Sequence, residues 1–216
     1  MRERTVGLRD RMKERRREQI LAASRHLFRK RGYYKTSLAE IADKAEVSVG
    51  TIYTYFGSKG AIYHELTKPL LAEVGAKADQ VIKSPPDDPI EAMLALFEAL
   101  RLTKEWQNLN LLKGLDPTQK DPEQDGYIDQ TQREAHDLVI RKVYLLLVRM
   151  QAAGSIRADL DVDDATFLLG TLMRSHLSLF VGAGGELPFA EHVRMMSRRV
   201  RLLFEPWTAP PGTPSK

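Results

Sequence analysis

Val49, Gly50, Tyr53 and Thr54 stand at i, i+1, i+4 and i+5, a spacing that places them on one face of a helix. Ile52 and Phe56 fall on the opposite face and predict its buried side. The outward set suits the edges of base pairs. Thr51 and Tyr53 offer hydroxyls that donate or accept, Val49 offers a methyl surface for thymine, and Gly50 lets another surface approach the backbone. Lys59 follows in the first turn of the next helix, where a cation beside free backbone N–H groups makes a phosphate site. Rival chemistries lack their residues. The chain has no cysteine, which excludes disulfides, thiolate metal sites and a cysteine nucleophile. It has no His-Glu-x-x-His pattern and no glycine-rich strand-to-helix phosphate loop, since Gly182-Ala183-Gly184-Gly185 follows a helix. The titratable pairs Asp163-Asp164, His136-Asp137 and His64-Glu65 are adjacent in sequence and point apart on a helix.

The elements that must position these residues are all helical. No run alternates with period two, and the pattern predicts an all-α chain of about nine helices. A first helix from about Lys13 to Arg31 buries Ile20, Ala23, Leu27 and Phe28 and stops at Gly32. Thr36 or Ser37 caps a short second helix with Leu38, Ile41, Ala42 and Ala45 on one face. After the turn Glu46-Val47, Ser48 caps a third helix, Val49 to Phe56. Gly57 ends it, and Ser58 caps a long fourth helix to about Ile82 in which Tyr63 faces the core. Two short helices at a tight turn behind a basic helix predict a helix-turn-helix DNA reader.

Beyond Asp88-Pro89 the pattern predicts a helix to about Lys104, a short one over Trp106 to Leu115 and a polar loop to Gly126. A long helix follows from Tyr127 to Ala153, closed by Gly154, then one from Asp161 to about Val181, and a last one from Pro188 to before Pro206. The expected domains are 1–66, a helix-turn-helix domain; 67–206, a helical ligand-binding and dimerisation domain; and 207–216, a disordered proline-rich tail.

Charge separates along the chain. Residues 1–35 carry 13 Lys/Arg against 4 Asp/Glu, whereas the rest carries 20 against 25. A basic end on a mildly acidic body points to a polyanionic partner at that end. The stretch Arg2 to Arg17 reads either as a solvated, frayed helix start or as an arm entering a minor groove. No apolar run reaches the length of a membrane span, and Met1 to Arg17 is too charged for a signal peptide, so the cytoplasm is the expected location. A basic peripheral membrane protein would need an inserting apolar face, and Ile20, Leu27 and Phe28 fit better in a helical core.

The residues Phe28-Arg29-Lys30-Arg31-Gly32-Tyr33, Thr36-Ser37-Leu38, Ile41-Ala42, Val47 to Phe56, Ser58-Lys59 and Ile62-Tyr63 together resemble the DNA-binding domain of the tetracycline-repressor (TetR) family. The likeness covers about residues 15–66. It implies base or groove contacts from Val49, Gly50, Thr51 and Tyr53, and phosphate contacts from Thr36, Ser48, Tyr55 and Lys59. It also implies a homodimeric regulator, mostly a repressor, released from DNA by a small molecule. Two positions depart from the family pattern. Glu46 stands where the family often has glycine, so a left-handed residue there would cost about 1–2 kcal/mol. Gly60 stands where an acidic residue is common.

The C-terminal residues are read less directly. On the long helix Gln132, His136, Val139, Val143, Leu146 and Met150 share a stripe, and on the next Phe167, Gly170, Thr171, Arg174 and Ser178 share a face. Isolated polar groups on apolar faces suit either a small-molecule pocket or an ordinary core and interface. The expected pocket residues are Trp106, His136, Phe167, Thr171 and Arg174, holding a hydrophobic or amphipathic effector. The last two helices, about 162–181 and 188–204, are apolar enough to form a four-helix interface with a second copy. No cofactor or metal is expected. The rival reading is a helical enzyme, or a metal-dependent sensor holding its effector through His136 and nearby carboxylates.

Overall fold

The computed structural model describes residues 7–100, 122–182 and 189–208. Trp106 and the short helix expected around it lie outside these residues, and so does the side chain of Arg174. Among the described residues there are eight α-helices and no strand: α1 (Leu8–Arg31), α2 (Leu38–Lys44), α3 (Val49–Phe56), α4 (Lys59–Lys83), α5 (Pro89–Leu100), α6 (Pro122–Ala152), α7 (Val162–Gly182) and α8 (Phe189–Phe204). A single 3-10 turn, Glu205–Trp207, follows. No described helix is long and apolar enough to cross a membrane.

Local chemistry sets the helix ends. Ser37 and Glu40 form a reciprocal capping box: the Glu40 backbone N–H donates to the Ser37 hydroxyl at 3.2 Å, and the Ser37 N–H donates to the Glu40 carboxylate at 2.9 Å. Ser48 accepts from the Thr51 N–H at 3.1 Å, Ser58 from Ala61 at 3.0 Å, and Asp88 from Glu91 at 2.8 Å. Asp161 accepts from both Asp163 and Asp164 at 3.0 Å. Gly57 and Gly154 close α3 and α6 with positive φ.

The chain forms two compact units, dividing at Pro69 inside α4 and at Thr131 inside α6. The first holds α1 to α3 and the starts of α4 and α6. Its buried side chains include Ile20, Leu27 and Phe28 of α1, Ile41 of α2, Ile52 of α3, and Ile62, Tyr63 and Leu66 of α4. Tyr33, in the α1–α2 turn, stacks obliquely on Phe28 at 5.5 Å and edge-on to Tyr63 at 5.4 Å, which joins α1 to α4. Burial pushes the Tyr63 phenol far above its ordinary range.

The second unit packs the remainder of α4 with α5, the rest of α6, α7 and α8. Val74 and Ala78, Met93 and Leu96, Val143, Leu146 and Met150, Leu169, and Val200 and Phe204 belong to one continuous core. Ile140 of α6 packs directly over Gly170 of α7: a Cβ there would stand 2.1 Å from Ile140 Cδ1, so the isoleucine side chain would have to shift, whereas Gly75 has room for a methyl group at 3.4 Å from Leu138. Gln151 clasps the α6–α7 turn by donating to the carbonyls of Arg157, Ala158 and Leu160 at 2.9–3.3 Å.

Three expectations change. Helix α1 begins at Leu8 rather than Lys13, and α6 begins at Pro122, inside the expected loop, with proline at a first-turn position where its missing N–H is harmless. The tail does not fray at residue 207. Trp207 stacks against Phe204 at 5.5 Å, its carbonyl accepts from the Arg157 N–H at 3.0 Å, and Thr208 bridges to Ile156. Burying an indole on the core outweighs the proline next to it.

Candidate nucleic-acid interface

Helix α3 is short and is held mainly by one buried side chain, Ile52. Opposite it, Gly50, Tyr53 and Thr54 are exposed and Val49 is half-buried. Tyr53 is 55% exposed. A Cβ on Gly50 would meet only the Ser48 hydroxyl, at an ordinary 3.8 Å. The fold therefore has no steric need for glycine there, although glycine weakens a helix interior by about 0.5–1 kcal/mol relative to alanine.

The polar groups of α3 are partly engaged. The Ser48 and Thr51 hydroxyls bond each other at 2.9 Å, and Thr54 donates to the Gly50 carbonyl at 2.9 Å. Each hydroxyl keeps capacity for an external partner. The turn before α3 contains Glu46 at φ 55°, the only positive-φ residue other than glycine among those described. The strain expected of a non-glycine residue at this position is present. The Val47 N–H reaches back to the Ala42 carbonyl at 2.9 Å and closes the turn.

Two expected phosphate contacts require correction. Lys59 is only 8% exposed. Its ammonium donates to the carbonyls of Tyr33 at 3.2 Å and Thr36 at 2.9 Å and lies 4.4 Å from the centre of the Tyr33 ring. Thr36 is 1% exposed, and its hydroxyl donates to the Gly32 carbonyl at 2.8 Å. Both side chains hold the α1–α2 turn instead of facing outward. The α1–α2 turn brings carbonyl groups to the ammonium, and sequence spacing carries no trace of that fold-back. Tyr55 is half-buried and lines a crevice of about 450 Å³ with Arg17, Phe56, His64, Glu65 and Lys68 of the same unit, among others.

Arg17 lies over the Phe56 ring at 5.5 Å and pairs with Glu65. The Lys68 ammonium also reaches Glu65, at 2.7 Å. Hydrogen bonding from Lys68, with the charges of Lys68 and Arg17, holds the Glu65 carboxyl below its ordinary value. His64, which sequence reasoning did not single out beyond its neighbour Glu65, is buried and bonds the Thr131 hydroxyl at 2.9 Å. Its partner lies 67 residues away, beyond the reach of any local pattern.

In the second unit the expected pocket is redrawn. His136 and Phe167 do come together, but in an open groove of about 790 Å³ on the α6–α7 surface with Asp137, Arg141 and Tyr144. His136 is exposed, and Phe167 is 67% exposed. Thr171 is half-buried and does not line that groove. The expected stripe on α6 fails at its start: Gln132 and His136 face outward, whereas Val143, Leu146 and Met150 are buried. Near that start Thr131 is the buried residue, and farther along Lys142 is buried beside Val143, its ammonium reaching Asp79 at 2.5 Å. No group of three or more His, Asp or Glu among the described residues is placed to hold a metal ion.

Residues 20–66 match the family model described as bacterial regulatory proteins of the tetR family. Residues 20–66 therefore form a DNA-binding domain of the tetR type. The HTH-type transcriptional regulator HbdR of Aromatoleum sp. (strain CIB) is 47% identical over 58 residues, 27% of this chain and 25% of HbdR. The HTH-type transcriptional repressor KstR2 of Mycolicibacterium smegmatis is 27% identical over 151 residues, 68% of this chain and 71% of KstR2. Thus the chain spans a quarter of one curated relative and less than three quarters of the other. The transcriptional regulator FadR from Bacillus subtilis, solved in complex with stearoyl-CoA, has a TM-score of 0.61 and 21% identity, covering 87% of this chain and 97% of FadR. That likeness shows a shared all-helical fold.

Proposed function

We propose that this chain is a TetR-family regulator that binds a near-palindromic operator as a homodimer and represses transcription until a small hydrophobic or amphipathic molecule releases it. The face of α3 carries the reading: Val49, Gly50, Tyr53 and Thr54 form an outward surface that the domain's own packing does not use. Val49, Gly50, Thr51 and Tyr53 are the residues proposed to reach base edges or the groove, and Ser48 and Tyr55 to reach phosphate. Lys59 and Thr36 are proposed to position the α1–α2 turn.

One such helix reads only a few base pairs, which is too little to select a site in a genome, so specific binding requires two copies. The proposed interface is formed by α7 and α8, where Phe167, Leu168 and Leu202 are exposed. FadR's ligand is an acyl-CoA, and KstR2 is named a repressor. Both support a repressor relieved by an amphipathic molecule in the second unit. Release requires that molecule to favour a dimer whose recognition helices no longer fit the half-sites. The TetR-family matches favour this reading over an enzyme or metal-dependent sensor.

Selection from a random duplex pool tests the proposal. Recovered sites should be two-fold related, with half-site centres about 34–36 Å apart or a small multiple of that distance. Recovery of a lone half-site bound by one copy would overturn it. A panel of hydrophobic and acyl compounds should then raise the melting temperature and weaken binding to the recovered site together.

A further inference from the structure

The stripe of α1 that faces its own unit changes character along the helix. From Ile20 onward it is apolar, with Ile20, Ala23, Leu27 and Phe28 buried. Toward the N-terminus the same stripe continues through Arg16, Lys13 and Arg9, at i−4, i−7 and i−11 from Ile20. These three side chains are exposed, and none forms an ion pair among the described residues. Arg17, beside them, is taken up by Glu65 and Phe56. The acidic residues of this stretch, Asp10, Glu14 and Glu18, follow one another at i+4 on a different side. The helix therefore extends from Arg16 back to Leu8 for about 13 Å at 1.5 Å per residue, with cations on the side that elsewhere packs inward. Arg17 places the start of this extension next to Phe56, the last residue of α3.

We infer that Arg9, Lys13 and Arg16 form a helical rail that grips the phosphate backbone beside the groove entered by α3. This rests on the DNA-binding reading above and adds contacts that carry no sequence information. A stripe that turns from apolar to cationic where it leaves its own domain is matched to a polyanion on that side. Helical backbone from Leu8 onward also excludes residues 8–17 from entering a minor groove as an extended arm. An anionic membrane is the competing partner, because Leu8 and Met12 are exposed on the same extension.

The test uses the full-length chain and two labelled duplexes, one of mixed sequence and one recovered by selection, titrated between about 50 and 200 mM salt. Each phosphate contact contributes about 0.9 to the slope of log K against log salt, so Arg9→Ala/Lys13→Ala/Arg16→Ala should lower the slope by about 2–3 on both duplexes. Arg9→Lys/Arg16→Lys should restore it. Arg11→Ala/Arg15→Ala removes two cations outside the stripe and should leave the slope nearly unchanged. Equal slope losses from the two alanine variants would overturn the rail in favour of a diffuse charge effect. So would an unchanged slope in the triple variant accompanied by lost binding to vesicles of anionic phospholipid. If α3 variants abolish selective binding while the triple variant keeps the wild-type slope, the operator reading stands and only the rail falls. If the wild-type chain binds neither duplex, both fall. Circular dichroism should show unchanged helicity and melting in every α1 variant, since all the side chains altered there are exposed.

Discussion

Replacing Lys59 with methionine removes the ammonium and keeps most of the stem. In the folded chain that ammonium donates to the carbonyls of Tyr33 and Thr36 and lies over the Tyr33 ring. Hydrogen bonds to a charged group contribute about 1.5–3 kcal/mol each, and the cation–π contact adds about 0.5–2. Desolvation of the buried ammonium opposes them, which leaves an expected net loss of about 2–3 kcal/mol. For a chain of this length, at about 2–4 °C per kcal/mol, the first unit's transition should fall by about 4–12 °C. Differential scanning calorimetry reads that shift, and duplex titration of the folded protein reads the salt slope. If the lysine holds the turn, Lys59→Met lowers the melting temperature and leaves the slope within experimental error. If Lys59 instead touches phosphate, the slope falls by about 0.9 and stability is unaffected. A slope loss with unchanged melting would refute the internal role.

Gly50→Ala should stabilise α3 by about 0.5–1 kcal/mol, because the site has room for a methyl group, and should weaken operator binding; calorimetry and mobility shift together check this. Glu46→Gly should raise stability by about 0.5–1 kcal/mol in chemical denaturation, since relief of the φ 55° strain exceeds the added freedom of the unfolded chain. The Glu40 carboxyl is held below its ordinary 4.5, first by the Ser37 backbone N–H, then by the Ser37 hydroxyl and Arg31. A lowered folded-state value means that this stabilisation is complete above 4.5 and disappears as the pH falls through the lowered value. Glu40→Gln should therefore flatten part of the acid limb in a urea-midpoint series, and an unchanged limb would exclude the capping box as its source. Tyr53→Ala should weaken the selected duplex more than the mixed one, with unchanged melting.

Elements with local causes were legible in the sequence. Ser37, Ser48, Ser58, Asp88 and Asp161 each cap a helix they immediately precede, since a cap bonds groups two or three residues away. The inner and outer sides of α3 were legible for the same reason: Ile52 in and Tyr53 out follow from helical spacing alone. The start of α1 was hidden because residues 8–16 lack a buried apolar stripe. The start of α6 was hidden by its polar composition. Lys59, Thr36 and His64 were misread or missed because their partners are set by turns and distant helices. Trp207 was lost among prolines. The surroundings of His136 were the least legible, since a polar side chain on an apolar helix looks the same in a core, an interface or a groove, and His136 lies in the last of these.

Helix α3 has one fully buried side chain, one serine at its front and one glycine at its back. Its attachment and its outward face use different residues. If α3 reads DNA as proposed, a lineage carrying this chain could therefore exchange the exposed Gly50, Tyr53 and Thr54 one at a time, changing the operator at a stability change of about 1 kcal/mol or less. Gene duplication would give such a regulator a short mutational path to a second, separate target set.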